Sequence, residues 1–185
     1  MDSAARVFGR RGLERASVDE IAEDAGFTKG AFYANFASKE EIFLAMLDER
    51  FAERLAEIER VTESDAAPQE QARRAGADFE DYLRADPEWQ RLFFEFAAYA
   101  ARDERFRTEL VKRYRVLQER VADVYRRRLE RLGIESPIPV EHVSAMTFAM
   151  ANGAAFEMLL DPDALPDDAF GTMLGAFFTG LQSWA

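Results

Sequence analysis

The sequence predicts an all-α protein of about nine helices, and three observations carry that reading. Apolar residues recur at steps of three or four along nearly the whole chain. Prolines and stop-signal glycines fall between those periodic segments. Alternating β-branched residues, which mark strands, are nearly absent. The first three helices and the turn between two of them have the make-up of an N-terminal helix-turn-helix domain, assigned to residues 1–45. A larger helical domain, residues 46–185, follows.

Each element has its own signals. The first helix, residues 2–11, is expected to turn Ala4, Ala5, Phe8 and Arg11 inward and to stop at Gly12. Ser17 and Glu20 form a capping box, each satisfying an orphan backbone donor, and open a short helix with Val18, Ile21, Ala22 and Ala25 on its apolar side. Gly26 allows a tight turn. Thr28 caps a third helix of about eight residues that buries Phe32 and Phe36. A second capping box, Ser38 to Glu41, starts a long helix reaching about residue 63, with Ile42, Phe43, Met46, Leu47, Leu55 and Ile58 inward. After a polar break at residues 64–68, helices are predicted over 69–85 and, behind the Asp86-Pro87 start signal, over 87–101. From 104 to 132 the stripe from Phe106 to Leu132 makes one amphipathic helix about 40 Å long, ended by Gly133. Helices over 140–160 and 167–183 close the chain.

Composition narrows the function classes. Hydrophobic residues make up 48% of the chain, enough for a core without covalent staples. Cysteine is absent and His142 is the only histidine, so thiolate sites, histidine metal clusters and a histidine triad are excluded, and no cofactor is expected. No carboxylate pair stands out in an apolar setting and there is no glycine-rich phosphate loop, which argues against an enzyme. No leader-like segment and no run of about 18 apolar residues is evident, so the expectation is a cytoplasmic protein with no membrane partner. The net charge is −11, of which residues 1–50 carry −3. That balance argues against a nonspecific nucleic-acid coat, and is compatible with a reader that concentrates a few cations in a small footprint. Arg126, Arg127 and Arg128 read as a solvated face paired with glutamates.

In the third helix, inward Phe32 and Phe36 force Lys29, Ala31, Tyr33 and Asn35 outward or sideways. A cation, a methyl, a phenol and an amide suit a major groove and its flanking phosphates. Residues 17–43, from Ser17-Val18-Asp19-Glu20-Ile21-Ala22 through Gly26-Phe27-Thr28-Lys29-Gly30-Ala31-Phe32-Tyr33 to Lys39-Glu40-Glu41-Ile42-Phe43, resemble the DNA-binding signature of the TetR family, and the likeness extends over about residues 4–50. The resemblance implies that Ser17, Thr28, Tyr33 and Lys39 hold phosphates while Lys29, Gly30, Ala31 and Asn35 face the groove. Family members often have histidine where this chain has Asn35, and several further, often basic, residues ahead of the first helix.

The resemblance also implies a homodimer built through the last two helices, a double-stranded operator as partner, and a small-molecule effector. Residues 145–160 are apolar nearly all round, and the last helix has more apolar surface than one face needs. Phe79, Tyr82, Trp89, Phe93, Phe96, Tyr114, Gln118 and Asn152 are the candidate effector-binding residues, with Phe106, Leu110 and Glu157 beside them. A ring-rich, charge-poor set suits an apolar or aromatic ligand. The functional expectation is a repressor released from a palindromic operator by that ligand; the alternative is a helical sensor or interaction protein with weakened DNA binding.

Overall fold

The computed structural model describes residues 1–183, and these form nine helices and no strands. They are α1 (Asp2–Arg15), α2 (Val18–Asp24), α3 (Lys29–Tyr33), α4 (Lys39–Thr62), α5 (Pro68–Ala85), α6 (Pro87–Ala100), α7 (Glu104–Leu132), α8 (Val140–Leu160) and α9 (Ala169–Gln182). By packing, the chain forms two compact units, each drawn from two stretches of sequence. One compact unit comprises Met1–Ala52 with Pro87–Arg113, and the other comprises Glu53–Asp86 with the chain from Tyr114 onward. Helices α4 and α7 each contribute to both.

In the first unit, α1 does not stop at Gly12. The helix breaks there, with Gly12 at φ 71° and ψ 171°, and one further turn runs on to Arg15. A positive φ favours glycine because it lacks a Cβ. The break leaves orphan backbone groups on both sides, and two side chains from elsewhere in the unit take them. Glu95 of α6 accepts the Leu13 N–H at 2.5 Å. Lys39 at the start of α4 donates to the carbonyls of Leu13, Glu14 and Ala16 at 2.7, 3.2 and 3.2 Å. A charged group at each end of a helical turn replaces the missing ladder bonds. The inner face of α1 is Ala4, Val7, Phe8 and Leu13; Arg11 is exposed and pairs with Glu20 at 2.9 Å. The extra turn brings Leu13 inward in place of the expected Arg11.

The core of this unit is aromatic. Phe43 stacks on Phe96 with ring centroids 3.4 Å apart and planes 5° from parallel, and on Trp89 at 5.7 Å. Phe8 meets Phe96 edge-on at 5.5 Å. Phe8, Phe43 and Phe96 are fully buried, and each such ring contributes about 1.5–3 kcal/mol by leaving water.

In the second unit, α5 and α9 cross with their backbones in contact. A Cβ built on Gly76 would fall inside the van der Waals envelope of Gly171 Cα and N, so only glycine fits there. One turn along α5, the buried Glu80 carboxylate accepts the Phe170 N–H at 2.9 Å and the Asp168 N–H at 3.3 Å, capping the start of α9 from outside. Ser144 of α8 donates to the Gln118 carbonyl at 2.8 Å. Helix α8 is long and apolar enough to cross a membrane by length and composition, where the sequence reading found no such segment. Its residues Val143, Ser144, Thr147, Ala154 and Ala155 are nevertheless buried within the unit, while Met146 and Leu160 are 49% and 67% exposed. The three-arginine run divides: Arg126 pairs with Asp123 and Glu141, and Arg127 with Glu59 at 3.1 Å. Arg128 is half-buried, donates to the Ala66 carbonyl at 3.4 Å and keeps a buried Nε without a partner.

Candidate nucleic-acid interface

The local sequence builds α2 and α3 by capping. Ser17 Oγ accepts the Glu20 N–H while Glu20 accepts the Ser17 N–H, both at 3.2 Å, so the capping box is complete. The Ser17 N–H, followed by the nearby Arg11 charge, holds the Glu20 carboxyl below the usual carboxylate range. Gly26, at φ 70°, makes the turn. Thr28 Oγ1 then accepts the Ala31 N–H at 3.2 Å and starts α3. At the second box, Ser38 Oγ accepts the Glu41 N–H at 3.2 Å, but the Glu41 carboxylate reaches back to the Ala37 N–H, one residue earlier than the usual pairing.

Helix α3 has five residues, not eight. Past Tyr33 the Asn35 N–H bonds to the Phe32 carbonyl at 2.9 Å, a three-residue step that tightens the last turn and ends the helix. Phe32 is buried and Phe36 half-buried, with ring centroids 5.8 Å apart. Tyr33 is 50% exposed, and Lys29, Gly30 and Asn35 are exposed, with Ala31 intermediate. Phe27, in the turn ahead of α3, is 67% exposed, a large apolar group that periodicity gave no reason to single out.

Carboxylates hold three cations of the first unit. Asp24 takes Arg6 at 2.5 Å and Arg10 at 3.0 Å, and Lys29 pairs with Asp19 at 2.8 Å. Hydrogen bonding to Asp19, reinforced by its charge, raises the Lys29 ammonium above its ordinary value. Asn35 donates from Nδ2 to the Ala31 carbonyl at 2.9 Å, within its own helix. The Lys39 ammonium lies on the three α1 carbonyls. Of the residues considered for phosphate contact, Ser17 and Thr28 thus serve as caps and Lys39 as a clamp, leaving Tyr33 the most open. The exposed Lys29–Asp19 pair implies a measurable competition. Asp19→Asn should tighten DNA binding by up to about fivefold at low salt, within the range of exposed ion pairs. A titration by fluorescence anisotropy in which the variant binds no tighter than the parent rejects this.

The eight candidate effector residues fall into both units. Trp89 and Phe96 belong to the buried core of the first, and Phe93 lies 5.7 Å from Phe94 in the same unit. In the second unit Phe79 and Tyr82 sit 6.3 Å apart with nearly parallel rings, and Asn152 donates to the Tyr114 hydroxyl. Burial pushes the Tyr114 phenol up. Gln118 offers its backbone carbonyl to Ser144. The reading by residue type missed Arg54. Its guanidinium carbon lies 4.9 Å from the centre of the Phe79 ring and 6.0 Å from that of Tyr82. The signal was present: Arg54 is seven residues from both Leu47 and Val61, two buried positions of α4, and so shares their stripe.

Residues 1–46 match the sequence profile described as bacterial regulatory proteins, tetR family, and residues 68–182 match that of BetI-type transcriptional repressors, C-terminal. FasR, an HTH-type transcriptional activator of Mycolicibacterium smegmatis, is 32% identical over 93 residues, which are 50% of this chain and 42% of that protein. AcnR, an HTH-type transcriptional repressor of Corynebacterium glutamicum, is 29% identical over 141 residues, 76% of this chain and 70% of that protein. The chain therefore spans less than half the length of the first relative. FadR of Bacillus subtilis, solved in complex with stearoyl-CoA, superposes with a TM-score of 0.75 at 16% identity, covering 95% of this chain and 94% of that one; the likeness is one of fold.

Proposed function

The chain belongs to the TetR family of bacterial transcriptional regulators, and from that premise we propose that it is a repressor released from a palindromic operator by a small effector with an apolar or aromatic body. Residues 1–45 are its reading head, and 46–185 serve effector binding and dimerisation. The observation that carries the reading is α3 itself: a short helix fastened by buried Phe32, with Tyr33 and Lys29 exposed beside it. Ala31 suits a thymine methyl, Asn35 an adenine edge once it leaves the Ala31 carbonyl, and Tyr33 a phosphate oxygen.

Two copies must present their α3 helices about 34–36 Å apart to read successive major grooves. The exposed stripe Met146, Ala149, Gly153 and Leu160 on α8, with Met173 and Ala176 on α9, supports dimerisation through these two helices, since small residues permit close helix approach. Effector occupancy in the second unit acts along α4, whose residues belong first to one unit and then to the other, and changes the half-site spacing. By linkage, operator DNA weakens effector binding by the same factor as the effector weakens operator binding. An apolar effector body agrees with the stearoyl-CoA of the Bacillus subtilis FadR structure and with Phe79, Tyr82 and Tyr114 here.

The test is a gel shift against the protein's own upstream DNA at low salt. The parent should shift one band, and Tyr33→Ala should bind roughly 10–100-fold more weakly with its dimer intact. Equal binding by the two proteins refutes the assignment. The second reading, a sensor with weakened DNA binding, draws on the carboxylate-held cations of the reading head; a parent that shifts no DNA in this assay establishes it.

A further inference from the structure

Arg54 is an anomaly in the second unit. Its side chain is only 16% exposed, yet its Nη1 is buried with no hydrogen-bond partner. Glu57 Oε2 forms an ion pair with Nη1 at 3.6 Å, too long for a hydrogen bond. Glu57 and the neighbouring Asp78 are both drawn to Arg60, at 3.3 and 2.8 Å. What surrounds the guanidinium instead is aromatic, the faces of Phe79 and Tyr82. Tyr125 of α7, whose phenol burial pushes up, lies within range of the Arg54 charge, and its hydroxyl is engaged with Thr147 at 3.4 Å. Burial holds the Arg54 guanidinium below its ordinary value. Ring faces return part of the lost hydration of a cation, but they leave a guanidinium N–H unsatisfied.

A buried cation with an orphan donor costs stability unless something completes it. We infer that Arg54 is the anion-receiving group of an effector site in the second unit, and that the effector is an organic monoanion: a carboxylate joined to an apolar or aromatic body that lies against Phe79 and Tyr82. The inference rests on the effector-responsive reading above and adds charge to the apolar or aromatic ligand that the sequence suggested. One guanidinium with one unpartnered Nη1 amino group suits one negative charge, and Arg60 is already committed to two carboxylates, so a carboxylate fits better than a dianionic phosphate. Arginine suits the task because its planar fork stays charged and stacks on rings at once.

The test uses the full chain and its Arg54→Met and Arg54→Lys variants. The probes are the straight-chain carboxylates from butyrate to dodecanoate and phenylacetate, each beside its uncharged amide, with inorganic phosphate as the anion without a body. Without any probe, Arg54→Met should melt roughly 2–8 °C above the parent, because methionine fills the space without a desolvated charge and an unpartnered donor. At least one carboxylate should bind the parent about tenfold or more tighter than its amide, the size of one charge-assisted hydrogen bond. Inorganic phosphate should leave the melting point unchanged. The carboxylate preference should vanish in Arg54→Met and persist, weakened, in Arg54→Lys. A preference that survives in Arg54→Met, or no carboxylate outperforming its amide in the parent, overturns the site. Gel shifts on the same proteins separate the two readings. Intact operator binding by parent and Arg54→Met with no carboxylate-specific response removes the anion site and leaves the repressor reading standing. A carboxylate-specific response in a parent that binds no operator does the reverse.

Discussion

Gly76→Val is expected to cost the protein about 3 kcal/mol or more, read as a fall in the urea midpoint with the slope unchanged. The added side chain has nowhere to go. Its Cβ alone would overlap backbone atoms of Gly171 and stand 3.1 Å from the Phe170 carbonyl carbon, so α9 must move. Movement of α9 then withdraws the Phe170 and Asp168 N–H groups from Glu80, leaving a buried carboxylate short of donors. The reciprocal change is milder. A Cβ on Gly171 meets Arg73 O at 3.2 Å and Arg73 Cα at 3.3 Å, a squeeze of a few tenths of an ångström. Gly171→Ala should therefore lose less than Gly76→Ala. Equal midpoints for Gly76→Val and the parent would show that the two backbones do not touch.

Lys39→Met should destabilise the first unit by about 2–4 kcal/mol, because it strips a charged donor from three carbonyls at the end of α1. The family signature places a phosphate contact at this lysine, and the two roles predict different salt behaviour. A lysine that touches phosphate contributes nearly one unit to the slope of log affinity against log salt. On the geometry seen here, Lys39→Met lowers the melting point and keeps the slope of operator binding, while Lys29→Met lowers the slope by about one and keeps the melting point. The opposite pattern would transfer Lys39 to the DNA contacts.

Much of the fold was legible because its boundaries are written in local chemistry. The Ser17 and Thr28 caps, the Asp86-Pro87 start and the 104–132 stripe each act over a few residues, and the helices begin and end within two residues of them. Gly12 was legible as an interruption but not as a break within a continuing helix, since the groups that rescue it, Glu95 and Lys39, are distant in sequence. Periodicity shows that a residue is buried and not what covers it. That is why Trp89 and Phe96, which cover Phe43, were grouped with Phe79 and Tyr82 of the other unit. The eight expected residues of the third helix became five because Phe36 is held by a turn. For the reading head, residue type and order carried the identity of the outward side chains. They did not carry the pairing of Lys29 with Asp19, which depends on α2 and α3 being folded together.

The two-part construction of the first unit has a consequence for biosynthesis. The family profile ends at residue 46, but the ring that covers Phe43 and the carboxylate that takes the Leu13 N–H are Phe96 and Glu95, and the unit they complete extends to Arg113. A nascent chain that has emerged only to Ala52 carries a bare phenylalanine face and a broken α1. It waits for residues 53–113 to follow, several seconds at about 5–20 residues per second. During that interval the residues of α3 are already synthesised, but the α6 side chains that complete their unit are not.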